Sequence, residues 1–174
     1  TYSNQDISML RQELYSDIPN AIAESLKLET QMQELAQNLL KAPIYTFIGS
    51  GPNWATAQLA AAKMKETSQS RAESTNLEEY AHLHALSLSD DDPVFIITRP
   101  GDIGERDRLV SQHVKSNRGQ IIVIGTAQDK ELWSDLEAKY YTVPEHSEMF
   151  GPLVAWVPLQ LFAYFTATAK NRNP

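Results

Sequence analysis

Two patterns of hydrophobic positions divide the chain. Leu28, Met32, Leu35, Ala36, Leu39 and Leu40 recur at helical spacing up to Pro43. Asp17 followed by Pro19 reads as an N-cap and first-turn proline, so a long amphipathic helix is predicted ahead of Pro43. A shorter helix over Ile7 to Tyr15 precedes it. Short, nearly continuous apolar runs then take over. Ile44–Ile48, Val94–Thr98 and Ile121–Ile124 are rich in β-branched residues and bounded by turn residues, which predicts strands buried on both faces. A last short strand is predicted over Tyr140 to Val143. The intervening segments predict helices over Trp54–Glu66, Glu105–Asn117 with Gly119 as its stop, and Lys130–Ala138, with a closing helix over Glu148–Lys170.

Strands that alternate with helices imply right-handed crossovers and a parallel sheet covered on both sides. The predicted class is α/β: a doubly wound, flavodoxin-like, three-layer αβα fold. One domain is expected over 1–174, with leading helices in 1–42 and the α/β core in 43–174. In such sheets ligands sit beyond the carboxyl ends of the strands, which directs attention to loops 49–53, 99–104 and 126–129.

Composition narrows the partners. Of 174 residues 42% are hydrophobic, enough for one sizeable core. A net charge of -7 without a clustered Lys/Arg stripe argues against nucleic acid. The absence of cysteine excludes disulfides and thiolate chemistry and fits a reducing compartment, with the cytoplasm as the expected location. Met149–Ala169 is long and apolar, but Pro152, Pro158, Gln160 and its threonines favour a buried core helix over a membrane span.

Candidate chemistry lies in three places. The turn Gly49-Ser50-Gly51-Pro52-Asn53 sits between a strand and a helix start, where backbone N–H groups and the helix dipole favour an anion. It lacks the third glycine of a dinucleotide fingerprint and the Lys-Ser/Thr of a P-loop, and a turn that merely needs small residues explains it equally well. Glu66 ends the following helix, a position more often occupied by a surface residue. The stretch from Glu78 to His84 puts carboxylates and imidazoles within about one helical turn, Glu78 and His82 sharing a face. Nothing obvious completes a metal site around them, so no metal is expected.

Three motifs in order carry a resemblance: Gly49 to Ala57, then Ala61-Ala62-Lys63-Met64-Lys65-Glu66 with Arg71-Ala72-Glu73, then Val157-Pro158-Leu159-Gln160-Leu161-Phe162-Ala163-Tyr164. From about Leu26 onward the chain resembles the sugar-isomerase (SIS) domains, in particular the second half of the isomerase region of glutamine–fructose-6-phosphate aminotransferases. The resemblance implies a phosphorylated sugar as ligand and an isomerase, aminotransferase-isomerase or deglycase activity. It implies Glu66 as the base that moves the substrate proton, and His82, sixteen residues on, as the group that opens the sugar ring. Gly49, Ser50, Gly51, Asn53, Glu79 and Arg99 are the implied substrate contacts. Proton transfer by a carboxylate requires no cofactor, and none is expected. The family's histidine can reach a neighbouring subunit's site, and a homodimer or a first SIS half is the expected partner.

Departures keep a second reading open. The family's "GELKHGP" loop here reads Glu78-Glu79-Tyr80-Ala81-His82-Leu83-His84, and Thr98-Arg99-Pro100-Gly101-Asp102 has no serine cluster for a phosphate. Arg99 beside Asp102 also reads as a local ion pair. The alternative is a non-catalytic module that binds a phosphosugar or a partner chain for regulation or assembly.

Overall fold

The computed structural model describes residues 3–83, 88–99 and 102–173, with backbone alone at 102 and 103. Helix α1 (Asn4–Gln12) starts at Ser3, whose hydroxyl accepts from the Asp6 N–H while the Asp6 carboxylate accepts from the Ser3 N–H. A π-helical turn, Glu13–Asp17, leads into α2 (Ile18–Ser25). Asp17 does not cap: its backbone is helical and its side chain makes no cap bond. Pro19 explains this, because it offers no N–H to the carbonyl one turn back and its ring crowds that carbonyl, so the preceding turn widens. The long helix predicted ahead of Pro43 is likewise divided: a 3₁₀ turn, Leu26–Leu28, separates α2 from α3 (Glu29–Asn38).

Five parallel strands follow in spatial order β2-β1-β3-β4-β5: β1 (Tyr45–Gly49), β2 (Ala72–Asn76), β3 (Pro93–Ile97), β4 (Gln120–Gly125) and β5 (Lys139–Thr142). This is the predicted doubly wound, flavodoxin-like order. Strand β2 escapes the apolar pattern because it is an edge strand reading Ala-Glu-Ser-Thr-Asn, held by register with β1 from Tyr45↔Ala72 to Gly49↔Asn76. The crossovers are α4 (Pro52–Ser68), α5 (Leu77–His82), α6 (Asp102–Ser116) and a 3₁₀ segment (Lys130–Leu136), and α7 (Gly151–Ala169) closes the fold. The 3₁₀ segment replaces the helix predicted there; Trp133 and Leu136, three apart, are its buried residues, matching the period of three.

Strand alternation divides the core in two. Tyr45, Phe47, Phe95, Ile97, Ile122 and Ile124 face α2, α3, α4 and α7. Ile48, Val94, Ile96, Ile121 and Val123 face α5, α6 and the 3₁₀ segment. Phe95 lies 4.8 Å, centroid to centroid, from both Phe47 and Phe162 of α7, tying that helix to the sheet centre. By length and composition α7 is apolar enough to cross a membrane, yet Val154, Phe162, Ala163 and Ala167 are fully buried against the sheet.

The angle at which α4 leaves β1 is fixed at Gly49. A Cβ there would lie 2.1 Å from the Asn53 carbonyl oxygen, so only glycine lets the first turn of α4 close on the strand end. Gly51, at φ +54°, takes a backbone conformation that also favours glycine. Gly49→Ala is expected to cost about 2–3 kcal/mol of overpacking, read as a lower urea midpoint at unchanged slope; an unchanged midpoint would contradict this packing.

Candidate functional site

Every strand points its carboxyl end to one edge, and there the chain assembles acids. Asp107 of α6 and Asp129, in the loop after β4, are only 1% and 2% exposed. The Ser50 hydroxyl donates to Asp107 at 3.4 Å, and Tyr140 donates to Asp129 at 2.6 Å. The Thr98 hydroxyl, which donates to the Arg99 carbonyl at 3.5 Å, lies beside both carboxyls. Burial pushes Asp107 up to about 7, against the lowering by the Thr98 and Ser50 hydroxyls, and burial also raises Asp129. Glu148, ahead of α7, pairs with Arg99 and approaches Gly51.

The residues expected to hold substrate at this edge therefore have other engagements. Asn53 is buried and its side-chain amide donates to the Ile97 carbonyl at 3.4 Å. The Asn53 and Trp54 N–H groups donate to the Ser50 and Gly51 carbonyls, each at 3.1 Å, inside the turn itself. Arg99 is matched with Glu148; the Asp102 side chain, and Pro100 and Gly101, lie outside the described residues. The Glu148 carboxylate already balances this guanidinium, which disfavours a phosphate dianion here. Glu79 accepts from Thr75 and, more distantly, Asn76 in the first turn of α5, while Asn76 caps the Glu79 N–H at 2.9 Å.

Glu66 lies at the opposite edge. Seventeen residues carry α4 about 25 Å, beyond the roughly 16 Å of a five-residue strand, so its last turn hangs below the amino ends of β1 and β2. The Glu66 side chain is 63% exposed and pairs with Lys63 at 2.8 Å. Helix α7 runs beside α4 to the same edge, where Lys170 donates to Ser70 at 2.7 Å and burial lowers its basicity. His82 ends α5, exposed, on the other face of the sheet. Its helix-mate Glu78 is drawn first to Arg106, which donates two bonds of 2.7 and 2.8 Å and holds the carboxyl below its usual range. His84 lies outside the described residues. One chain thus keeps Glu66 and His82 apart, with the sheet between them. Among the described residues no group of three or more His, Asp or Glu side chains is placed to hold a metal.

The model of the SIS domain matches residues 38–169. The chain belongs to the SIS domain family. It is 31% identical, over its full length, to the glutamine–fructose-6-phosphate aminotransferase (isomerizing) of Thermococcus kodakarensis, and 29% identical over 99% of its length to that of Chlorobaculum tepidum; it spans 28% of each. Its fold superposes on the C-terminal domain of glucosamine-fructose-6-phosphate aminotransferase from Francisella tularensis with a TM-score of 0.93, at 22% identity, covering 99% of this chain and 48% of that one. Tagatose-6-phosphate ketose/aldose isomerase from Escherichia coli shares the fold with a TM-score of 0.67, at 15% identity, covering 86% of this chain and 43% of that one.

Within this SIS domain the carboxyl-edge acids are what the sequence reading missed. A signal existed: Asp107, Val110, Ser111 and Val114 form the buried stripe of α6, so Asp107 is an acid on an otherwise inward-facing face. Glu148 and Asp129 carry no such signal. A raised carboxyl binds a proton in the folded state that the unfolded chain has released. Folding stability should therefore fall as pH rises from about 4 to about 7, by at most about 4 kcal/mol from Asp107, and level off above. Asp107→Asn should flatten much of that fall in urea titrations across the range, Asp129 supplying the remainder; an unchanged slope would contradict the assignment.

Proposed function

We propose that this SIS domain acts on a phosphorylated ketose or amino sugar, as the isomerase half of an aminotransferase-type enzyme, at a site shared between subunits or SIS halves. Family membership over residues 38–169 and the names of the relatives support the substrate class. The observation that carries the shared site is the position of Glu66. Ala55, Leu59, Ala62 and Glu66 follow one another at four-, three- and four-residue steps, which puts them on one outward stripe of α4. Leu59 is 54% exposed, and α7 beside it exposes Leu153 and Tyr164. A partner that covers this apolar stripe covers Glu66 as well, desolvating its carboxylate as a base requires.

At such a site Glu66 takes a proton from one of the two carbons, C1 or C2, while a solvent proton goes to the carbonyl oxygen to give the enediol; Glu66 then returns its proton to the other carbon as the hydroxyl on the first carbon releases its own to solvent. Before that, the protonated His82 imidazole of another subunit gives its proton to the ring oxygen as the ring C–O bond breaks and the anomeric hydroxyl loses its proton to solvent. Arg99 at the carboxyl edge is already paired with Glu148, so the phosphate is assigned to a loop of the partner.

The reading is tested in the complete protein by proton exchange at the sugar carbon of fructose-6-phosphate. Glu66→Gln is expected to lower exchange by about 10²–10⁴-fold with sugar binding retained. Wild-type exchange in the variant would end the catalytic assignment. Binding without exchange in the wild-type protein would instead make the domain a phosphosugar-binding module.

A further inference from the structure

The carboxylate of Glu66 rides on the last turn of α4, and helices commonly fray there because their final carbonyls have no partner within the helix. This turn also ends on Gln69, whose φ of 50° lies in the left-handed region that favours glycine. Other bonds must hold it. The Met64 carbonyl accepts from the Ser68 hydroxyl at 2.7 Å, from the Ser70 N–H at 3.3 Å and from the Gln69 N–H. Ser68 has then used its one proton, so in the 2.7 Å contact between the two hydroxyls Ser70 donates and Ser68 accepts. Ser70 in turn accepts from the Lys170 ammonium at 2.7 Å. A single directed relay, from Lys170 through Ser70 and Ser68 to the Met64 carbonyl, thus joins the end of α7 to the end of α4.

The relay is built into the fold. Ser68 and Ser70 are 1% and 6% exposed. The Lys170 Nζ also lies 6.0 Å from the centroid of the Tyr45 ring, and Tyr45, at the start of β1, donates its hydroxyl to the Leu39 carbonyl at 2.7 Å. The Tyr45 N–H donates to the Arg71 carbonyl at 3.0 Å, just beyond Ser70. Burial, and then the nearby Arg172, lower the basicity of Lys170. An ammonium kept where its charge is disfavoured is held by these partners and by the carbonyl ends of the two helices, whose dipoles favour a cation. Met64 and Ser68, the residues on which the relay ends, stand two positions before and two after Glu66, so they bracket it on the helix.

We propose that Lys170 is a positioning residue for Glu66: through Ser70 and Ser68 it keeps the last turn of α4 formed and the carboxylate at one angle to the substrate. The proposal rests on the catalytic reading of Glu66 given above. A carboxylate that takes a proton from carbon must be close and aligned, and a misplacement of about 1 Å costs up to about a hundredfold in rate. Other groups bind the sugar, so the loss should fall on kcat and spare KM.

Lys170→Met removes the donor at similar length. It is tested in the complete protein by proton exchange with fructose-6-phosphate, together with hydrogen–deuterium exchange of the backbone amides over residues 65–71. The variant is expected to lower kcat about ten- to a hundredfold with KM within about twofold, and to speed amide exchange over 65–71 about tenfold while β3 keeps its protection. Ser70→Ala breaks the same relay and should do the same, which supplies the comparison should Lys170→Met not fold; the double variant should be no worse than either single one. A folded variant with wild-type kcat, a loss confined to KM, amides over 65–71 as protected as in the wild type, or additive losses would each overturn the proposal. Wild-type exchange in Glu66→Gln ends the catalytic reading, whereas loss there with wild-type kcat in Lys170→Met ends only this one.

Discussion

The close approach of the Asn53 carbonyl to Gly49 is the constraint from which the rest of the architecture follows. It sets α4 directly against the end of β1, and the length of that helix then decides where Glu66 emerges. Because α4 starts at the carboxyl edge and outruns the strand, its final carboxylate appears below the amino edge, in solvent, beside the end of α7. The next crossover places α5, and His82 with it, on the other face. An acid and an imidazole that look like neighbours along the chain are thus separated by a sheet, and any chemistry they share must be assembled between chains.

The same topology gives the two edges opposite electrostatic characters. The carboxyl edge, where doubly wound folds hold ligands, is occupied in this chain by Asp107, Asp129 and the Glu148–Arg99 pair. Asp107 and Asp129 accept from Ser50 and Tyr140 and so secure the loops around the glycine turn. The amino edge carries Glu66, Lys63 and Lys170 next to an exposed apolar stripe. The first edge is closed by its own hydrogen bonds and ion pair, and the second leaves Leu59 and Tyr164 exposed.

Much of this was legible in the sequence. The strands β1, β3 and β4 announced themselves because burial on both faces demands continuous apolar runs, and the glycine turn because close approach excludes a side chain. Strand β2 stayed hidden since an edge strand can be polar, and the break at Leu26–Leu28 left the helical period almost intact. Glu66 and His82 were singled out by residue type and by the spacing that the resemblance implies. Their relation in space was not legible, because sequence separation carries no record of which face of the sheet each helix takes. Arg99 shows the same limit from the other side, since its partner Glu148 arrives from the last loop of the chain.

The central claim, that Glu66 of one subunit works with His82 of another, is tested most directly by mixing two inactive full-length variants, Glu66→Gln and His82→Ala, under conditions that exchange subunits. In a dimer with shared sites the hybrid regains one intact site, and random mixing should restore about one quarter of wild-type activity. Recovery at that level is the predicted result. Mixtures as inactive as their components, in a preparation shown to contain hybrids, would contradict the account.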